Sequence, residues 1–261
     1  MVQAVGLPPP DAVHADRWGS GERVVLVHGT NAPDPSRFWS RQRPLAARWQ
    51  LVVLHRRGYG ESTAPAVAEP AVHVADIIAL LGDGAHLVGH SYGGTLALLV
   101  AAQAPELLHS LTLIEPAAMT IARGHAAVEH AITRLQRLYA AQTPEALFQA
   151  MLEEFGLPPR DDLVLSPTQR RALASTMLEP RPWTVATPIE ALVRIAFPVL
   201  LMTGGWAPGF DAIAEVIQTR LRVEHAVIAG RGHDVQATGE PFNQRLAAFL
   251  TQAEAKQSDG L

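Results

Sequence analysis

His86-Leu87-Val88-Gly89-His90-Ser91-Tyr92-Gly93-Gly94-Thr95-Leu96-Ala97 carries the most structural information per residue in this chain. A short apolar run ends at a serine with a glycine two positions to either side, and small residues in a helical pattern follow. In a G-x-S-x-G arrangement between a strand and a helix, the serine sits on a sharp, strained turn that lifts its hydroxyl clear of the sheet. Side chains at 89 and 93 would clash with the neighbouring strand and helix, hence the glycines. The helix start behind the serine favours negative charge developing there. The bland alternative is a plain glycine-rich turn, because the pentapeptide alone is common.

Outward from this turn, short apolar runs alternate with stretches of helical length. Val24–Val27, Leu51–Leu54, His86–Val88, Leu111–Ile114, Val199–Met202 and Ala226–Ile228 read as strands, most of them buried on both faces. Ala71–Leu81, Thr95–Gln103 and Ala212–Arg220 read as helices between them. The alternation predicts an α/β, doubly wound, mostly parallel sheet. Val13–Trp18, Gly19-Ser20-Gly21 and the run from Val24 suggest a hairpin, so the sheet is expected to begin antiparallel. From Pro116 to Pro198 the rhythm breaks: helical patterns at His125–Ala141, Pro144–Phe155 and Pro167–Leu178 occur without a strand. Such an insert would sit over the strand ends as a lid. The polar tail after Thr251 is expected to fray.

Composition narrows the function classes. The 261 residues hold 21 basic and 25 acidic side chains, a formal charge of −4, which gives no basic footprint for nucleic acid. With 48% hydrophobic and 18% charged residues the chain has globular composition. It has no cysteine, which excludes disulfide scaffolds, thiolate metal sites and cysteine nucleophiles. Met1 to Pro10 lacks the pattern of a signal peptide, and no apolar run reaches membrane-spanning length, so a cytoplasmic location without membrane contact is expected. His14, His28, His55 and the other histidines show no metal-ligand spacing, so no metal or other cofactor is expected.

The chain resembles the α/β-hydrolase fold superfamily over nearly its whole length. Val24–Gly29 is similar to the family's strand ending in His-Gly, and Arg57-Gly58-Tyr59-Gly60-Glu61-Ser62 to its Arg-Gly-x-Gly-x-Ser loop, with His55 where many members have Asp. Ser91 matches the nucleophile, and Gly230-Arg231-Gly232-His233 the late loop carrying the catalytic histidine. The resemblance implies an eight-stranded sheet with a helical cap inserted after the sixth strand. The expected division is a core of residues 1–116 and 198–261 and a cap of residues 117–197.

A serine hydroxyl needs a base to take its proton, and imidazole suits that role near neutral pH. Of the eleven histidines, His233 follows a strand in a glycine-flanked loop and lies downstream of every candidate acid, in the family's order of serine, acid, histidine. His28 is read as support for the loop beneath the site and His90 as a turn residue. The acid would hold the imidazole's other nitrogen. Many members carry it after the strand that is here Val199–Met202, but Ala207 falls about where that Asp would stand, and Asp211 lies further along. Glu115 ends the preceding strand, a position used by some members, including several haloalkane dehalogenases. A carboxylate ending a buried strand needs a partner to offset its desolvation, so Glu115 is preferred and Asp211 is the alternative. The oxyanion-hole donors implied are the main-chain N–H groups of Tyr92 and Thr30, with Asn31 as a neighbouring substitute. His28, Asn31, Met119, Tyr139, Phe148, Trp183 and Trp206 are candidates for the pocket, although lid stripes such as Leu135, Met151 and Phe155 serve equally as helix core.

Serine at the elbow, where dehalogenases and epoxide hydrolases use Asp, points to an acyl-enzyme formed from an ester, lactone or thioester of a small apolar molecule. The same set of groups serves C–C bond hydrolases, lyases, acyl transferases and perhydrolases, and a non-catalytic small-molecule-binding protein is the third class. A homodimer is compatible with the sequence.

Overall fold

Runs of Val and Leu become the strands β2 (Arg23–Val27), β3 (Gln50–His55), β4 (Ala85–His90), β5 (Leu108–Ile114) and β6 (Val199–Thr203), buried at nearly every position. The half-exposed β1 (His14–Trp18) and β7 (Val223–Val227) form the edges. The computed structural model describes residues 13–154, 158–160 and 162–258. Among these residues one sheet has seven strands in the order β1-β3-β2-β4-β5-β6-β7, rather than the eight expected. All neighbours are parallel except β1 and β3.

The antiparallel start is present, but the hairpin is not. Trp18 pairs with Leu51 of β3, while β2 lies beyond β3. The Gly19-Ser20-Gly21 link crosses the end of β3: a Cβ on Gly19 would collide with the Ala46 carbonyl, and one on Gly21 with that of Arg48. Both glycines have positive φ, 77° and 108°, and so pass where a side chain would not fit.

Alternate residues of each strand serve opposite faces. Val25, Val27, Val52 and Leu54 belong to the core on the face that carries α2 (Pro70–Leu81), α3 (Tyr92–Gln103) and, over β6 and β7, α7 (Pro208–Arg220). Val24, Leu26, Leu51 and Val53 pack under Trp39, Trp49 and the Phe242, Leu246 and Phe249 stripe of α8 (Glu240–Ser258). Asp34 caps the one-turn α1 (Pro35–Phe38).

Between β5 and β6 lie α4 (Ala126–Leu138), α5 (Pro144–Glu154) and α6 (Pro167–Leu178). The insert thus follows the fifth described strand, and Phe155 lies outside the described residues. Ser166 and Gln169 form a reciprocal capping box that starts α6, with Pro167 at its first position. Leu138, Leu147, Leu165 and Leu173 join the three helices, while Val128, Ile132, Val185 and Leu192 merge with the core beneath.

Of the five buried histidines among the described residues, four contribute most to the acid response. Burial, the largest cause for each, holds His28, His73 and His90 well below the usual imidazole value of 6.5 and brings His86 to about 4. Below pH 6.5 the unfolded chain binds protons that the native chain does not, so stability falls on acidification until the folded values are reached. Each group contributes a slope of up to about 1.4 kcal/mol per pH unit. Urea unfolding is therefore expected to show lower stability at pH 5 than at pH 7; equal stability would contradict the neutral buried histidines.

Candidate active site

Three non-glycine residues among those described have positive φ: Asn31 at 52°, Ser91 at 54° and Glu115 at 44°. Each follows the carboxyl end of a parallel strand, namely β2, β4 and β5. Such conformations cost about 1–3 kcal/mol each and persist only where surrounding contacts over-determine them. At Ser91 those contacts are visible. Its N–H donates to the Ile114 carbonyl at 2.9 Å, and its own carbonyl accepts from the N–H groups of Gly94, Thr95 and Ala117 at 2.9, 3.2 and 3.0 Å. A side chain on Gly89 would strike the Gly93 carbonyl, and one on Gly93 the Val27 carbonyl. A Cβ on Gly29 would lie 2.8 Å from that of Ser91.

Glu115 has no exposed surface. Its Oε1 accepts the Gly204 N–H at 2.7 Å, its Oε2 accepts the Trp206 Nε1–H at 3.1 Å, and His233 Nδ1 lies 3.4 Å from Oε2. Gly204 permits this approach, because a side chain there would collide with the Gly232 carbonyl beside His233. The His233 ring lies between those of His90 and Phe210, each with its centroid 4.7 Å away. His90 Nε2 donates to the His233 carbonyl at 2.9 Å. Burial first, and His233 second, hold the His90 pKa far down, so its ring is neutral.

Asp211 is placed differently. It is exposed in the first turn of α7 and makes no hydrogen bond to His233 among the described residues. Burial and then the Glu115 charge raise its pKa. Ala207 stands at the N-cap of α7 with no side chain that can hold the imidazole.

Ser91 and His233 line one cavity of about 420 Å³, together with Thr30 and Tyr92. Tyr92 is the first residue of α3, where a main-chain N–H has no intrahelical acceptor. The Asn31 N–H is committed to Thr176 Oγ1 at 3.0 Å, which leaves the Thr30 N–H as its alternative beside the cavity.

With this geometry established, the comparison with known families is direct: residues 24–245 match the model of the alpha/beta hydrolase family. The chain belongs to that family. An acetyltransferase component of an acetoin cleaving system from Pseudomonas putida is 29% identical over 245 residues, covering 88% of this chain and 64% of that protein. Among solved structures, a bacterial membrane phospholipase A is 27% identical with a TM-score of 0.68, covering 94% of this chain and 88% of its own. A thermophilic esterase from Thermogutta terrifontis is 22% identical with a TM-score of 0.69, covering 92% and 93%, a likeness of fold. The chain spans less than two thirds of the length of the curated relatives it matches, from 29% to 64% of the first five.

Of the candidate pocket residues, Met119, Tyr139 and Trp206 line the cavity. The other four sit elsewhere. His28 is fully buried below the floor, and Asn31 turns its side-chain amide to Met151 Sδ at 3.4 Å. Phe148 packs within the small helical cluster, and Trp183 stands edge-on behind Tyr139 at 5.9 Å. Burial pushes the Tyr139 hydroxyl up to about 12. Sequence reading missed Phe210 and the α4 face of Ala127, His130, Ala131 and Arg134, which with Leu135 and Leu138 walls the cavity. Their spacings of three and four are a helical stripe, a signal masked by the stronger apolar stripe beside it.

The histidine reading found no metal spacing, yet the fold gathers His14, Asp16 and His55, with ligand atoms within 4.8 Å of one another. His55 Nδ1 accepts the Glu61 N–H at 2.9 Å, so a neutral ring carries its proton on Nε2, directed at Ser36 and Asp16. That is a hydrogen-bonded cluster, because a metal would need the Nε2 lone pair. No helix among the described residues is long and apolar enough to cross a membrane.

The strained turn yields a stability prediction. Ser91→Gly relieves a positive φ at the cost of a more flexible unfolded chain, a net gain of about 1 kcal/mol. A thermal melt should show a raised midpoint; a lowered one would show that the turn holds no strain.

Proposed function

We propose that this chain is a cofactor-independent serine hydrolase acting on an ester, lactone or thioester of a small, largely apolar molecule. The observation that carries the reading is the placement of Ser91 on its strained turn at a cavity shared with His233, whose Nδ1 faces the buried Glu115 carboxylate. In this mechanism Ser91 Oγ attacks the substrate carbonyl while His233 Nε2 takes its proton. Glu115 fixes the imidazole tautomer and stabilises the imidazolium. The Thr30 and Tyr92 N–H groups receive the developing oxyanion, the alcohol or thiol leaves with the proton from His233, and water then releases the acid by the same route.

The 3.4 Å His233–Glu115 separation is longer than a working catalytic hydrogen bond; such contacts commonly tighten only when substrate is bound. Apart from the exposed His130 and Arg134 on α4, the cavity wall beyond the reacting groups is predominantly apolar, with Met119, Leu135, Leu138, Met151 and Phe210. It favours hydrocarbon on the substrate and excludes water from the developing charges. The esterase from Thermogutta terrifontis and the phospholipase A share this fold, which supports ester chemistry on such a frame.

Stopped-flow hydrolysis of p-nitrophenyl butyrate tests the assignment. Glu115→Gln should lower the acylation rate by roughly 10³–10⁴-fold, whereas Asp211→Asn leaves it within about threefold, its carboxylate being outside hydrogen-bond reach of His233. The reverse ranking of the two variants would transfer the acid role to Asp211.

A further inference from the structure

The Gly29 carbonyl and the Thr30 N–H belong to one planar trans peptide group and point in opposite directions. Whatever holds the carbonyl therefore aims the amide. Two donors hold it: His28 Nδ1 at 2.7 Å and Arg56 Nη2 at 2.7 Å. Arg56 also donates through Nε to the His28 carbonyl at 3.1 Å and through its main-chain N–H to His28 Nε2 at 3.2 Å. The last contact leaves His28 one neutral tautomer, with its proton on Nδ1, directed at Gly29. The guanidinium faces the rings of Tyr59 and Tyr92, 4.6 and 5.4 Å from their centroids.

Arg56 is fully buried, and its charge is met by Glu179, itself 4% exposed, at the end of α6 in the insert. A buried ion pair is a poor source of net stability compared with apolar side chains of similar volume. Its presence here calls for another reason, and the Gly29 carbonyl supplies one. The same helix provides Thr176, whose Oγ1 takes the Asn31 N–H and keeps the next amide turned away from the cavity.

We propose that Arg56, held by Glu179 from the insert, is a positioning residue that locks the Gly29–Thr30 peptide with its N–H toward the cavity, so that α6 helps to form the oxyanion hole. The inference rests on the reading of Thr30 and Tyr92 as the oxyanion donors. Two donors on one carbonyl also polarise the peptide and strengthen its N–H as a donor. Helix α6 is then a fixed part of the site, further tied to the core by Arg171 on the Gly60 carbonyl and by Ser175 Oγ on the Gly58 carbonyl at 2.9 Å.

The test compares wild type with the double variant Arg56→Met/Glu179→Leu, which removes both charges and keeps apolar volume. Readouts are kcat and KM for p-nitrophenyl butyrate and the affinity for butylboronic acid, whose tetrahedral serine adduct places an oxygen in the hole. Loss of one aligned donor is expected to lower kcat by about 100-fold, with KM within about threefold and boronate affinity falling in parallel. A folded double variant with wild-type kcat and boronate affinity overturns the lock. A second measurement needs no variant: long-range ¹H–¹⁵N correlation on wild type is expected to show neutral His28 protonated at Nδ1. An Nε2–H tautomer or a cationic ring there overturns the lock even if the double variant does not fold. A wild type that neither hydrolyses the ester nor binds the boronate overturns the reading of the site itself, and the lock with it; an active wild type confines any failure to the lock.

Discussion

A backbone turn with φ of +54° at residue 91 is the constraint on which the site is built. The turn exists because β4, at the centre of the sheet, must pass into α3 without a loop, and glycines at 89 and 93 let the two elements touch the neighbouring strand and one another. The first N–H of α3 is left without an intrahelical acceptor next to the serine hydroxyl. Parallel strands bring their carboxyl ends to one edge, so the segments after β2, β5, β6 and β7 meet at the same place. Topology thus assembles a serine, a histidine, a carboxylate and a main-chain amide from residues up to 203 positions apart, between Thr30 and His233.

The carboxylate shows what such assembly demands. Glu115 is removed from water and receives three donors in compensation: a main-chain N–H, an indole N–H and an imidazole nitrogen. Its reach comes from its place just after β5, one strand away from β6, beyond which Ala207 caps α7. Beside the Gly29–Thr30 peptide the Arg56–Glu179 pair follows the same rule, since a buried charge is retained only with a partner.

Much of this was legible from residues alone. Val24–Val27 and Val199–Met202 are apolar without alternation, which is the mark of strands covered on both faces, and Ser166-Pro167 announces the start of α6. Motif order points to Ser91 and His233, whereas Glu115 is preferred over Asp211 because a carboxylate ending a buried strand needs a partner. The pairing of β1 was not legible, because Gly19-Ser20-Gly21 has the composition of a tight hairpin, and only the crossing over Ala46 and Arg48 shows otherwise. Pocket membership was half legible. Tyr139 and Trp183 are both aromatic residues of the insert, but the first, at the C-cap of α4, lines the cavity and the second, in a turn after α6, packs behind it, an order that residue type does not reveal. The Arg56–Glu179 contact joins residues 123 positions apart and leaves no periodic trace in either neighbourhood.

The claim that unites these observations is that the turn at Ser91 carries an activated nucleophile. Labelling the folded protein with a fluorophosphonate and mapping the modified peptide measures this most directly. The account predicts stoichiometric modification of Ser91, abolished by His233→Ala. An unmodified folded wild type, or labelling that survives the His233 substitution, would contradict it.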